Sequence, residues 1–307
     1  MINFRYHVVS LTAVFLALAI GLVVGTAAGN GPVADSLSGQ VNNIHKQNRQ
    51  LRDQVDDLNA EVNNQEQAWT SVAALALPGR LSGQRVLLVS IPSANKYVDN
   101  VVQLLSTAGA KVSARMLVDD KFMEPTSNDQ LLDLALNAAP PGVRGALPSH
   151  SNGVETSTAL LAAVLVGHGA TPEDLRTVIT AYESQGFLTV GADPTSADAV
   201  LFLAGGPYTE DDAAKRNAAV LKIAERFDQA GRVVVTTPTA AGEDNVVRAI
   251  RDDPDLVKTA STVDNLSTEL GRLATVLALA DQIGGHAGHY GFGSGATGPM
   301  PQPTGSA

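Results

Sequence analysis

Residues 37–62 read LSGQVNNIHKQNRQLRDQVDDLNAEV, and the pattern in this stretch decides how the rest of the chain is interpreted. Its apolar residues recur at alternating steps of four and three, with one Asn where an apolar residue is due. In a heptad, the d positions are Leu37, Ile44, Leu51 and Leu58, and the a positions are Val41, Asn48, Val55 and Val62. Such a seam becomes buried when two helices supercoil around each other. β-branched residues at a with Leu at d favour two parallel strands, and one Asn at a fixes their register. We therefore predict a parallel dimeric coiled coil over residues 30–77. The alternative is an amphipathic helix packed on its own domain.

A long uncharged segment precedes the heptads. Residues 8–28 read VVSLTAVFLALAIGLVVGTAA, which at about 1.5 Å per residue spans the ~30 Å hydrocarbon core of a bilayer. We predict a single transmembrane anchor over residues 1–29; a cleaved signal peptide is the alternative, although its apolar region is usually shorter. Arg5 precedes the segment and Asp35 is the first charge after it. The positive-inside rule then places the N-terminus in the cytoplasm and the rest of the chain outside it.

Small residues recur at every fourth position of this segment, at Ala13, Ala17, Gly21 and Gly25. Such a stripe lets two helix backbones approach closely, so Gly21 and Gly25 are predicted dimer contacts. A pair of single-pass anchors in one membrane is parallel, in agreement with the heptad pattern. Residues 29–32, Gly-Asn-Gly-Pro, form a plausible swivel between the two helical segments.

The remainder of the chain alternates strand and helix patterns. Apolar runs at 85–90, 111–118, 187–190, 199–203 and 232–236 predict strands, and helical patterns lie between them. This order predicts an α/β domain over residues 78–290, with a doubly wound, Rossmann-like parallel sheet. Residues 158–166 are apolar throughout and fit either a buried helix or a strand. The Gly/Pro-rich stretch 291–307 is predicted to be disordered.

Composition narrows the classes of function. The net charge of −10 and the absence of a Lys/Arg run argue against a nucleic-acid partner. There are no cysteines, which excludes disulfides and thiol chemistry. The turn Ile91–Asn95 lacks the glycines of a pyrophosphate loop, and Gly205-Gly206-Pro207 fits a sharp turn as well as a ligand site. No G-x-S-x-G elbow occurs, and His168 has no identifiable partner. We therefore do not expect an enzyme or a resident cofactor.

Two histidines lie three residues apart in the glycine-rich sequence Gly-His-Ala-Gly-His-Tyr-Gly at 285–291. The imidazoles of His286 and His289 could converge on Cu(II), Ni(II) or Zn(II). The alternative is a loop that docks on the sheet through Tyr290 and the imidazoles, since no third ligand is visible.

The two ends of the chain resemble a known family. Residues 4–21, FRYHVVSLTAVFLALAIG, are similar to the start of the actinobacterial copper transporter family called MctB. The residues STVD at 261–264, Gly271-Arg272 and GHAGHYG at 285–291 resemble its C-terminal signature. The resemblance implies an envelope protein linked to copper efflux and to channel activity in the outer membrane. The residues themselves, with strands alternating with helices, do not have the pattern of a barrel pore.

Two functions remain for comparison. The resemblance implies copper transport or homeostasis, with copper as a transported or bound ion. The architecture equally fits a dimeric, membrane-anchored scaffold that regulates a cell-wall or cell-division partner, a role also associated with relatives in this family.

Overall fold

The computed structural model describes residues 4–29, 32–148, 152–167, 169–191, 194–240 and 242–302. The chain divides into two units, Met1–Gln65 and Glu66–Ala307. The first unit contains helix α1 (Phe4–Gly29) and most of helix α2 (Pro32–Ala76). The predicted long helix is confirmed as one continuous element of 45 residues, about 67 Å long.

The second unit is built around a seven-stranded sheet. Its strands are β1 (Arg85–Ser90), β2 (Lys111–Val118), β3 (Leu188–Val190), β4 (Ala199–Leu203), β5 (Arg232–Thr236), β6 (Ser261–Val263) and β7 (His289–Tyr290). The strand order is β3-β2-β1-β4-β5-β6-β7, and every neighbouring pair is parallel except β2 and β3. The predicted α/β class is confirmed, but the sheet is not wholly parallel. Strand β3 runs antiparallel at one edge, as is common in large mixed sheets.

Ten helices in this unit follow α2. They are α3 (Val98–Thr107), α4 (Asp120–Met123), α5 (Asn128–Ala138), α6 (Pro141–Arg144), α7 (Gly153–Leu165), α8 (Pro172–Ser184), α9 (Ala213–Ala230), α10 (Val246–Asp252), α11 (Leu256–Thr259) and α12 (Glu269–Ile283). The ambiguous apolar run is helix α7, which begins at an Asn152 cap. Helix α8 begins with a reciprocal capping box, in which the Asp174 N–H donates to Thr171 Oγ1 and the Thr171 N–H donates to the Asp174 carboxylate.

Helices cover both faces of the sheet and create two apolar cores. Along β1, Leu87 and Val89 point into the core shared with α5, α7, α8, α9 and α10, whereas Val86 and Leu88 point into the core shared with α3 and α12. This alternation is the pleat of a strand buried on both faces. No described residue before Trp69 belongs to either core, so removing α1 leaves both cores complete.

The last turns of α2 belong to the second unit. Ala73 is buried and Trp69 half-buried against the core that contains α12. The Glu66 carboxylate accepts a hydrogen bond from the backbone N–H of Glu269 at 2.6 Å, and Arg272 Nη2 lies 3.7 Å from the same oxygen. The sequence places the start of the domain at residue 78, whereas the compact unit begins at Glu66 because of these contacts.

The C-terminal stretch was predicted to be disordered. Residues 291–302 instead make specific contacts with the rest of the α/β unit. The backbone N–H of Gly291 donates to Gly298 O at 2.8 Å, and Met300 packs against the core that contains α12. Composition does not reveal these contacts, because they depend on backbone atoms and on side chains that are distant in sequence. Residues 303–307 lie outside the described residues.

A buried ion pair between Arg251 of α10 and Asp264 after β6 holds this stretch. Arg251 Nη1 lies 2.8 Å from Asp264 Oδ2, and the two side chains are 1% and 0% exposed. Arg251 also donates to the carbonyl oxygens of Tyr290 at 2.7 Å and Ser294 at 3.1 Å.

The carboxylate of Asp264 completes the connection by accepting from two backbone N–H groups. Oδ1 accepts from Phe292 at 2.7 Å and Oδ2 from Gly293 at 3.0 Å. A Cβ at Gly291, where φ is 124°, would lie 2.1 Å from Asp264 Oδ1, so only glycine fits there. We call this set of contacts, centred on Arg251 and Asp264, the C-terminal lock.

Arg251→Ala is expected to lower the free energy of unfolding by about 3–5 kcal/mol, because it leaves the Asp264 carboxylate buried and unpaired. Arg248→Ala is the matched control, since Arg248 lies on the same helix and pairs with Asp252 at the surface. Its loss is expected to cost about 0.3–0.5 kcal/mol. Urea unfolding of the chain without α1 measures both values. Equal losses for the two variants would contradict the lock.

Candidate functional site

Helix α1 has the properties of a membrane anchor. Phe4–Ala27 is a candidate span by length and composition, and none of it is buried within the chain. Its two threonines form hydrogen bonds within the helix: Thr12 Oγ1 donates to Val8 O at 2.8 Å and Thr26 Oγ1 to Leu22 O at 2.9 Å. Polar groups in a bilayer need such internal partners, so these hydroxyls are compatible with a lipid environment.

The predicted helix–helix contacts of α1 are accessible. A Cβ built at Gly21 or Gly25 meets no atom within 4 Å. The backbone is therefore open on this side, and a second helix could approach it closely.

The apolar seam of α2 is exposed in the single chain. Between 44% and 61% of each of its seven apolar residues remains accessible: Leu37, Val41, Ile44, Leu51, Val55, Leu58 and Val62. Asn48, the predicted polar a residue, is also exposed. Complete burial of one such apolar side chain stabilises by about 1.5–3 kcal/mol, so a covering partner would contribute on the order of 5–10 kcal/mol per chain.

The last turns of α2 pack on the domain that follows them. In the last turns, Trp69 and Ala73 contact the chain's own α/β unit, as the alternative expected. Val72, which falls at a d position when the heptad frame is extended beyond Val62, remains 40% exposed, and Leu75 remains 86% exposed. The helix therefore packs on its own domain with one side and presents apolar residues on another.

His286 and His289 lie in different environments. His286 is exposed in the turn after α12, where its backbone N–H donates to Asp281 O at 3.0 Å. His289 in β7 is 7% exposed, and both of its ring nitrogens have protein partners. Nε2 lies 2.9 Å from Val257 O and Nδ1 lies 2.8 Å from Thr262 Oγ1. A carbonyl can only accept, so the proton is assigned to Nε2 and Nδ1 accepts from Thr262.

His289 is thereby linked to the C-terminal lock, because Thr262 Oγ1 also accepts from Arg251 Nε at 2.9 Å. Ligation of a metal by His289 would require the loss of one of these two ring contacts. Within the described residues, no group of three or more His, Cys, Asp or Glu side chains could hold a metal ion. Sequence reasoning did not identify Arg251 and Asp264, because their pairing depends on the fold. The sequence feature that could have pointed to the pair is the presence of Asp264 in the quoted C-terminal signature.

The chain turns sharply after β4, at the edge of the sheet where ligands bind in doubly wound folds. Gly205 has a φ of 69°, and a Cβ there would lie 3.0 Å from Ile91 Cδ1 and closer still to Ser93 Oγ. The cavity beside Gly205 and Gly206 measures about 10 Å³, roughly the space of one water molecule. Gly205 therefore serves a close turn. His168 lies outside the described residues.

The environment of His289 predicts a dependence of stability on pH. Burial lowers the pKa of its imidazole below the usual value of 6.5; the Val257 carbonyl opposes this shift and Arg251 adds to it. The folded state thus binds this proton more weakly than the unfolded state. The contribution to stability is complete above about pH 6.5 and is lost as the pH falls below it.

We expect His289→Gln to reduce the slope of unfolding free energy against pH between about pH 7 and 5. Urea denaturation at several pH values measures this slope. His286→Ala is the control and should keep the slope of the unchanged protein. An identical slope in the His289 variant would show that this imidazole does not titrate as described.

Comparison with known proteins agrees with these features. The model of the family described as "Copper transport outer membrane protein, MctB" matches residues 1–301. The copper transporter MctB of Mycobacterium tuberculosis (strain ATCC 25618 / H37Rv) is 29% identical over 308 residues, which cover 96% of this chain and 98% of that protein. The copper transporter MctB of Mycobacterium leprae (strain TN) is 29% identical over 320 residues, covering 97% and 98%. These matches cover α1, α2 and the α/β unit of this chain. This chain is a member of the MctB family.

Proposed function

We propose that this protein functions in copper handling at the cell envelope, as a membrane-anchored parallel homodimer without catalytic activity. The exposed heptad seam of α2 supports the dimer part of the proposal. Contact between such an apolar stripe and water costs free energy, and a partner helix would remove that contact. The family description and the names of the relatives support the copper part.

The same proposal specifies the topology. With Arg5 before the uncharged segment 8–28 and Asp35 after it, the N-terminus lies on the cytoplasmic side and the α/β unit lies beyond the membrane. The family description names the outer membrane, whereas a cytoplasmic N-terminus requires that α1 crosses the inner membrane. A pair of α1 helices offers Ala, Gly, Val and Leu side chains and no polar lumen, so we propose copper binding rather than conduction through this helix pair.

Copper binding would begin at His286, whose imidazole is exposed. The pKa of the nearby Asp281 carboxylate is raised by burial, a shift that His286 and Arg80 oppose. An imidazole with a neighbouring carboxylate suits a divalent transition metal. His289 could join only after its contacts with Val257 and Thr262 rearrange.

Titration calorimetry with Cu(II) tests this site on tag-free protein comprising residues 31–307. We expect binding that is lost in His286→Ala and in the His286→Ala/His289→Ala double variant. His45→Ala is the control, because His45 is an exposed histidine of α2 far along the sequence, and should bind as before. Undiminished binding by the double variant would contradict the site.

The second candidate is a dimeric scaffold that regulates a cell-wall or cell-division partner. The observation that favours it is the connection between the end of α2 and α12, where Glu66 accepts from the backbone of Glu269 beside Arg272. A partner bound to α2 could act on the α/β unit through this contact. Seam variants that impair the cell envelope and leave copper handling intact would favour the scaffold.

Asn48→Val is expected to raise the melting temperature of the coiled coil and to broaden its distribution of oligomers, because it removes a polar residue that the proposed dimer would bury and that fixes register. Circular dichroism and sedimentation equilibrium measure the two effects. Asn43→Val at the neighbouring c position is the control and should change neither. An unchanged melting temperature together with a strict dimer would contradict the heptad assignment.

A further inference from the structure

A groove on the α/β unit, away from the crevice and from the two histidines, has the lining of a small-molecule site. It lies between the segment around Met123–Asn128, the start of α7 and helix α9, and its volume is about 340 Å³. Ligand pockets typically measure about 300–1,000 Å³. The groove is therefore large enough for one small ligand.

Helix α9 forms one wall of this groove. Lys215 and Lys222 are seven residues apart and therefore lie two turns apart on one side of the helix. Ala218 and Ala219 lie between them, and their small side chains leave a trough. Opposite this trough, the apolar surface comes from Met123, Pro125 and Val154. The trough is thus apolar along its floor and bordered by two ammonium groups.

Most polar groups of the lining are already satisfied within the protein. Glu124 pairs with Arg216 at 3.2 Å, which offsets its negative charge. Asn128 Oδ1 accepts from Gly153 N at 2.8 Å, and Lys222 pairs with Glu225 at 2.7 Å.

Lys215 differs from these groups. Its side chain is exposed and its ammonium makes no ion pair or hydrogen bond with any residue that the structure describes. A charge-assisted hydrogen bond to such an ammonium contributes about 1.5–3 kcal/mol. The groove therefore combines an apolar floor with one cation available to a ligand.

We propose that this groove binds an amphiphile with one anionic headgroup, either a free fatty acid or an acidic lysophospholipid. The headgroup pairs with Lys215, and the first part of the hydrocarbon chain lies along Ala218 and Ala219 against Met123 and Val154. The site is independent of copper and of the α2 seam, so it stands or fails separately from the proposed function.

Calorimetry with decanoate, on protein comprising residues 31–307, tests the site; both apolar cores are complete without α1. We expect one molecule bound per chain. Lys215→Gln should weaken binding about tenfold, which corresponds to about 1.4 kcal/mol. Ala218→Trp should abolish it by filling the trough, and Lys258→Gln, at another exposed lysine, should have no effect.

Two further ligands complete the experiment. Decanol, with the same chain and no charge, should bind more weakly than decanoate, and a decanoyl lysophosphatidate shows which headgroup is preferred. Lys215 and Ala218 are exposed, so their variants are expected to fold normally, as circular dichroism will show. Absence of binding, or binding unaffected by Lys215→Gln and Ala218→Trp, would overturn the proposal.

Discussion

The need to cover an apolar seam is the constraint on which the organisation of this protein depends. Helix α2 is 45 residues long, and over residues 37–62 its apolar side chains have no cover in the single chain. The last turns of the helix, which belong to the second unit, contact the domain through Trp69, Ala73 and the Glu66 carboxylate. An in-register parallel partner would cover the seam and would also bring the open faces of Gly21 and Gly25 together. The proposed dimer therefore accounts for both helices with one interaction.

The C-terminal lock explains why the end of the chain has an ordered structure despite its composition. Arg251 and Asp264 are almost fully buried, and backbone groups of residues 290–294 satisfy their remaining hydrogen bonds. His289 is attached to this network through Thr262. Much of the C-terminal signature, including Asp264, His289 and Gly291, therefore has a structural role. His286 is the signature histidine whose ring lies at the surface.

The sequence was sufficient where a periodic pattern was long. The 45-residue helix, the strands around Leu87, Val200 and Val234 and the Thr171 cap all follow from periodicity or from local capping chemistry. Strands β6 and β7 were missed because three and two residues are too few for a pattern. Edge strand β3 was predicted at residues 187–190, but its antiparallel direction and the ordered C-terminus were missed because they depend on pairing between distant residues. For the same reason, the sequence did not reveal that the ring of His286 is exposed and the ring of His289 is buried.

The most direct test of the central claim uses the absence of cysteine from the chain. A single cysteine is introduced at the d residue Leu51 or at the neighbouring c residue Gln50, and the full-length protein is oxidised with diamide. In a parallel, in-register dimer, d residues face each other closely enough for a disulfide, whereas c residues point outward. We predict a covalent dimer for Leu51→Cys and little for Gln50→Cys. Equal cross-linking of both variants, or none for Leu51→Cys, would contradict the parallel dimer.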